Sequence, residues 1–214
     1  EKTGAAERVE REGEGGEETT AVGAGLSPLL NFTFNFSLLL IFSKIDRHKV
    51  VQTLVRAFVD LGMVCVRPNF RGVGKSQGSH AEGLGEQDDL WATWQWAEAR
   101  YGQAVGRRRW MGGFSFGAAV ASFIAQQWPN KREALGLTPL GLQACILVGL
   151  AVTRLTPANL GLNTAIVHGE SDEVVPLEAV YRFAQDQKKS VIVMPGAGHF
   201  FHGRLTELRA HIQF

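Results

Sequence analysis

Apolar and polar positions along this chain alternate between two rhythms. Val51, Leu54, Val55, Phe58 and Val59 recur at helical spacing and predict a helix over Val50–Leu61, closed by Gly62. Met63–Arg67 follows as a short apolar run of strand length. Gly85–Tyr101 reads as a second helix, with Glu86, Asp88 and Asp89 near its positive end. Arg109-Trp110-Met111 then leads into a buried helix that starts with Ala118–Ala125 and is expected to end near Trp128-Pro129. Leu142–Leu150 and Asn163–His168 predict strands, Leu177–Gln187 a helix, Ser190–Met194 a strand, and Gly203–Ile212 the last helix. Apolar strands separated by helices imply an α/β fold, a mostly parallel sheet with helices on both faces. In such sheets chemistry gathers where the strands end.

The beginning of the chain fits this pattern poorly. Glu1 to Thr20 is rich in Glu, Gly and Arg, and residues 1–25 are expected to form a flexible arm ahead of a single domain over 26–214. That stretch lacks the basic start and apolar block of a signal peptide. The run Pro28–Phe42 is too short for a spanning helix, which needs about 20 apolar residues. Its alternation from Asn31 to Ser37 has strand period, so the sequons at Asn31 and Asn35 read as chance matches.

Composition narrows the function classes. A 214-residue chain with 45% hydrophobic residues can bury a full core. A net charge of +1 gives no long-range pull toward nucleic acid or anionic lipid. The run Arg107-Arg108-Arg109 reads as a solvated loop end. Cys65 and Cys145 sit inside apolar runs and read as small core residues, which favours a reducing, cytoplasmic setting. No metal or cofactor is expected. Trp91, Trp94 and Trp96 read as packing of a helix onto the sheet, rather than as a stacking platform.

The chemistry is carried by Gly113-Phe114-Ser115-Phe116-Gly117. In Gly-x-Ser-x-Gly, a serine on a sharp strand-to-helix turn lifts its hydroxyl above the sheet, and flanking glycines remove β-carbons that would collide. A serine needs a general base, and the base needs an acid to fix its tautomer. Both follow at predicted strand ends, in the order acid then histidine. Asp172 is the candidate acid within Gly169–Pro176, with Glu170 and Glu173 as neighbours that spacing does not exclude. His199 is the candidate base, preceded by Gly196 and Gly198, and His202 is its rival.

These residues resemble the α/β-hydrolase superfamily. More closely, they resemble its compact, lidless bacterial members, described only as predicted α/β-superfamily hydrolases and related to dienelactone-hydrolase- and serine-aminopeptidase-like enzymes. The resemblance runs from about Lys49 to the end of the chain. It rests on Lys49–Leu54, Arg67–Gly78, Gly113–Gly117, His168–Asp172 and Gly196–Gly203. It implies an α/β-hydrolase fold, a nucleophile at Ser115 with Asp172 and His199, and hydrolysis of an unassigned small acyl substrate. The family usually carries a His-Pro-rich and then Gly-rich loop before Lys49. Here that stretch, Leu38–His48, has neither feature. One oxyanion donor follows from the elbow, the backbone N–H of Phe116. The second must come from the backbone near Phe42 or Ser43. A missing donor of this kind costs about 3 kcal/mol in the transition state, so a non-catalytic binding protein stands as the alternative to an enzyme.

Two further points close the reading. Gly72-Val73-Gly74-Lys75-Ser76 looks like the end of a phosphate-binding loop, but Asn69 stands where its first glycine belongs and loop residues follow. The glycines there allow tight packing beside the active site, with Arg71 bracing neighbouring loops. The short connection between Leu150 and Asn163 leaves no room for a lid domain. The sequence leaves the oligomeric state open.

Overall fold

The computed structural model describes residues 6–12, 18–24, 38–42, 48–102, 108–134, 142–160 and 163–213. The Asn31–Ser37 alternation, its two sequons, Ser43 and Arg107 lie outside them. Eight strands form one sheet in the order β1-β2-β4-β3-β5-β6-β7-β8. They are β1 (Ala6–Glu12), β2 (Glu18–Ala24), β3 (Leu38–Phe42), β4 (Val64–Pro68), β5 (Arg109–Phe114), β6 (Leu142–Val148), β7 (Asn163–Gly169) and β8 (Val191–Met194). From β4 across to β8 every neighbouring pair is parallel. Only β1 and β2 run antiparallel to their neighbours.

Helices cover both faces. α1 (Lys49–Asp60) and α5 (Leu205–Ile212) pack on one side, where Leu54, Phe58, Leu208 and Ile212 meet Cys65, Ile146 and Val167. α2 (Leu84–Tyr101), α3 (Phe116–Ala134) and α4 (Leu177–Asp186) pack on the other, around Trp94, Ile124, Leu147 and Val180. The helical spacing read in α1 places Val51, Leu54 and Phe58 in the core as expected, and Gly62, at φ 78°, closes the helix. Residues 149–162 join β6 to β7, too few to hold a lid domain. Among the described residues, no helix is long and apolar enough to cross a membrane.

The structure corrects three expectations. The arm expected over residues 1–25 instead supplies β1 and β2, so the sheet begins well before residue 26. Its low apolar content does not prevent this, because a strand at the edge of a sheet needs only backbone pairing. The helix expected to stop near Pro129 continues to Ala134 with Pro129 inside it. Proline forfeits one backbone hydrogen bond there, and Pro129 is exposed on the outer side. Third, Arg109 is no solvated loop residue. It opens β5, is only 1% exposed, and grips Glu98 of α2 with Nε and Nη2. A buried guanidinium needs such a forked partner, and the pair ties the end of α2 to the start of β5. Arg108 remains exposed as expected.

Other readings hold. Trp91 stacks on Trp128 at 5.6 Å and Trp94 meets it edge-on at 4.8 Å, so these tryptophans pack within the core. Cys65 and Cys145 are fully buried free thiols, and burial pushes the Cys145 thiol up to about 12. After Lys75-Ser76 the chain continues as loop, with no helix to complete a phosphate-binding motif. Arg71 does act as a brace: its guanidinium forks onto Asp89 of α2, with Nη2 to Oδ1 at 2.7 Å.

The first turn of α2 is locked by Glu86, whose side chain is fully buried. It accepts from the N–H groups of Ala81 (2.9 Å) and Gly83 (2.8 Å) and meets His80 Nδ1 at 2.7 Å. Burial alone pushes its carboxyl up, but these donors and its own N–H reverse that and hold it below the ordinary value of 4.5. The unfolded chain therefore takes up this proton more readily. The stabilisation is complete above about pH 5 and is lost as pH falls through the lower folded value. Urea midpoints should hold from neutral pH to about pH 5 and then drop, and Glu86→Gln should be less stable at neutral pH with a shallower acid drop.

Candidate active site

The strand order reverses beside β3, which lies between β4 and β5. At such a reversal the crossing helices diverge and leave a crevice at the carboxyl ends of the strands. Ser115 stands there, directly after β5, and the last residue of β3, Phe42, pairs in register with Gly113.

The elbow is built as the sequence requires. Ser115 has φ 54°, a left-handed conformation that costs a side-chain-bearing residue roughly 1–2 kcal/mol. Its N–H donates to Val148 O of β6 at 2.9 Å, and its carbonyl accepts from Ala118 at 3.0 Å, so the turn is held at both ends. A β-carbon on Gly113 would overlap the backbone of Gly117 and Ala118. Gly113→Ala must therefore push α3 away from β5, at an expected cost of about 3 kcal/mol or more, read as a lowered urea midpoint together with lost activity.

His199 reaches the serine from the loop after β8. Its Nε2 lies 3.0 Å from Ser115 Oγ, and its Nδ1 lies 2.7 Å from Asp172 Oδ2. His199 and Asp172 are both buried, whereas Ser115 is half-buried. Oδ1 of Asp172 accepts from the N–H groups of Val174 (2.9 Å) and Val175 (2.7 Å). Burial pushes the Asp172 carboxyl up, but the His199 hydrogen bond and the Val175 and Val174 N–H groups outweigh it and keep the group below its ordinary value. Asp172 is thus an aspartate across the neutral range, aimed at the histidine.

The rivals occupy other places. Glu170 accepts from Gly196 N–H at 2.8 Å and Glu173 from His199 N–H at 3.1 Å. Both grip the backbone of the loop that delivers His199. His202 is exposed, with its ring 5.8 Å from that of Phe200.

Several participants had no clear sequence signal. Gly149, at φ 57°, directly follows β6, and a β-carbon there would stand 3.3 Å from His199 Cε1 and 3.2 Å from the Phe114 ring. His48 caps α1, its Nδ1 accepting from Val50 N–H at 3.2 Å, and its ring stacks on Phe114 at 4.8 Å. Burial, then the nearby His199 and His202, hold its pKa below the usual histidine value. His168, at the end of β7, places its Nε2 at 3.3 Å from Asp172 Oδ2, the oxygen that also faces His199. Its signals in the sequence were its place in the shared segment His168–Asp172 and a polar residue at the end of an apolar strand, four positions before the acid.

Of the two expected oxyanion donors, Phe116 N–H begins α3, and Phe42 brings the end of β3 alongside the elbow, while Ser43 lies outside the described residues. Among the described residues no group of three or more histidine, cysteine or acidic side chains is arranged to hold a metal.

The family model for X-Pro dipeptidyl-peptidases (S15 family) matches residues 6–136, the span from β1 through the elbow and α3. This chain belongs to that family, within the α/β-hydrolase superfamily. An α/β serine hydrolase homologue from Coxiella burnetii is 32% identical, with a TM-score of 0.75 over 97% of this chain and 95% of that one. An α/β serine hydrolase without lid from Xanthomonas campestris is 28% identical, with a TM-score of 0.75 over 97% of this chain and 92% of its own. An uncharacterized protein of Rickettsia prowazekii is 29% identical over 167 residues, 75% of this chain and 67% of the relative. The α/β-hydrolase fold and the lidless build expected from the sequence are both present. The two structural relatives extend the likeness past residue 136, across the β7 and β8 ends that carry Asp172 and His199.

Proposed function

We propose that this α/β-hydrolase cleaves a small ester, thioester or amide through an acyl-enzyme on Ser115. The observation that carries the reading is the continuous chain from Asp172 Oδ2 through His199 to Ser115 Oγ, with hydrogen-bond lengths of 2.7 and 3.0 Å. The Asp172 carboxylate accepts a hydrogen bond from His199 Nδ1–H, which keeps the ring proton on Nδ1 and leaves Nε2 bare to face the serine. His199 takes the Ser115 proton as Oγ attacks the carbonyl carbon, and Asp172 stabilises the imidazolium that forms. The negative oxygen is held by Phe116 N–H and by a second backbone N–H from Phe42 or Ser43, at the positive end of α3. His199 then gives its proton to the leaving group. Water, activated by the same histidine, releases the acid and restores Ser115.

With no lid over the crevice, small substrates enter freely, and the family's name places X-Pro amides in the panel beside acyl esters. The strands form one sheet, and we treat the chain as one domain working without a cofactor. The buried free thiols of Cys65 and Cys145 fit a reducing compartment, so we place the protein in the cytoplasm. The test is hydrolysis of short activated esters, a thioester and an X-Pro dipeptidyl amide, each beside Ser115→Ala. Turnover of at least one that vanishes in the variant supports the reading. No turnover of any favours a binding protein that kept the fold, the reading motivated by the altered Leu38–His48 stretch.

A further inference from the structure

We propose that His168 is a positioning residue for the acid, a neutral donor that holds Asp172 to its task; the inference rests on the serine-hydrolase reading above. His168 is fully buried at the end of β7. Its Nε2 lies 2.9 Å from the carbonyl oxygen of Val175 and 3.3 Å from Asp172 Oδ2. A carbonyl oxygen only accepts, so the ring proton sits on Nε2 and is donated to Val175 O, with Asp172 Oδ2 alongside. Nδ1 is buried without a hydrogen-bond partner. Protonating it would place an unpaired N–H and a charge in a buried site, which is costly. His168 therefore stays neutral while His199 cycles through its cation.

This bond and this contact have one consequence. The bond to Val175 ties the end of β7 to the turn whose N–H groups hold Asp172 Oδ1. The same N–H lies 3.3 Å from the very oxygen that faces His199. Asp172 is thus held at Oδ1 by the turn and flanked at Oδ2 by a neutral donor before the imidazolium forms. A cation here would compete with His199 for the carboxylate, whereas a neutral N–H orients the carboxylate and leaves its charge for the base.

The test compares His168→Gln, whose side-chain amide nitrogen can reach the Nε2 position, with His168→Met, which fills similar space without a donor, and His168→Asn, which is too short. Two readouts are needed. One is kcat and KM on whichever ester the protein turns over. The other is the low-field proton resonance of His199 Nδ1–H, assigned by its loss in His199→Ala and measured without substrate. Expected is a fall in kcat of ~10-fold or more in His168→Met and His168→Asn at near-constant KM, by analogy with the loss when outer hydrogen-bond partners of metal-bound histidines and carboxylates are removed. The resonance should shift or broaden in both and return, with kcat, in His168→Gln. Should His168→Met not fold, His168→Asn against His168→Gln carries the same contrast. An unmoved resonance in the donorless variants, or kcat in His168→Gln as low as in the others, would overturn the proposal. If no substrate is turned over but the resonance moves as described, the positioning role stands and the proposed activity fails.

Discussion

Ser115→Ala is expected to lower turnover of an activated ester by about 10⁶-fold, the scale seen when the nucleophile of a serine triad is removed, while the protein stays folded. The effect on rate is large because in the proposed mechanism the serine's oxygen forms the covalent bond, and no other hydroxyl shares its place after β5. The effect on stability is small because the Ser115 side chain is half-exposed and its described hydrogen bond runs only to His199. The backbone supplies a second signature. Serine and alanine both bear a β-carbon at φ 54°, so the left-handed strain persists in Ser115→Ala. Ser115→Gly relieves that strain, worth roughly 1–2 kcal/mol before the extra freedom of glycine in the unfolded chain is subtracted. It should melt above Ser115→Ala and be equally inactive. Matched circular dichroism melts and ester assays on the three proteins check both halves. A Ser115→Ala protein that keeps measurable turnover would remove the serine from the mechanism.

Asp172→Asn is expected to reduce kcat by about 10⁴-fold, as when the acid of such a triad is made neutral. The asparagine oxygen can still accept from Val174 and Val175, so the turn keeps its shape. The nitrogen then faces His199 Nδ1, where the aspartate offered an acceptor at 2.7 Å. A donor there drives the His199 proton to Nε2, and the ring presents N–H to the serine instead of a lone pair. Glu170 and Glu173 do not substitute, since each is engaged with the backbone of the His199 loop. Glu170→Gln and Glu173→Gln should therefore retain most of the activity, and kinetics of the three variants side by side separate the acid from its neighbours.

Much of the fold was legible because it rests on local pattern. The spacing of Val51, Leu54 and Phe58 fixed both the existence of α1 and its buried face. The elbow was legible for a steric reason, since only glycine at 113 lets α3 fold back against β5. Asp172 and His199 were legible because each follows an apolar strand of a parallel sheet.

What escaped depends on partners far along the chain. Arg109 looked solvated because nothing near it in sequence shows Glu98 waiting one element earlier. β1 looked like a charged arm because the partner that makes it a strand, β2, itself depends on pairing with β4. His168 and Gly149 act on the site through contacts that exist only once β6, β7 and the His199 loop are side by side.

The most direct measurement is covalent labelling of the folded protein with a small fluorophosphonate, followed by peptide mass mapping of the adduct. A single adduct on Ser115, absent in Ser115→Ala and strongly slowed in His199→Ala, is the predicted result. A folded protein that takes up no label, or labels at an unchanged rate without Ser115, would contradict the account.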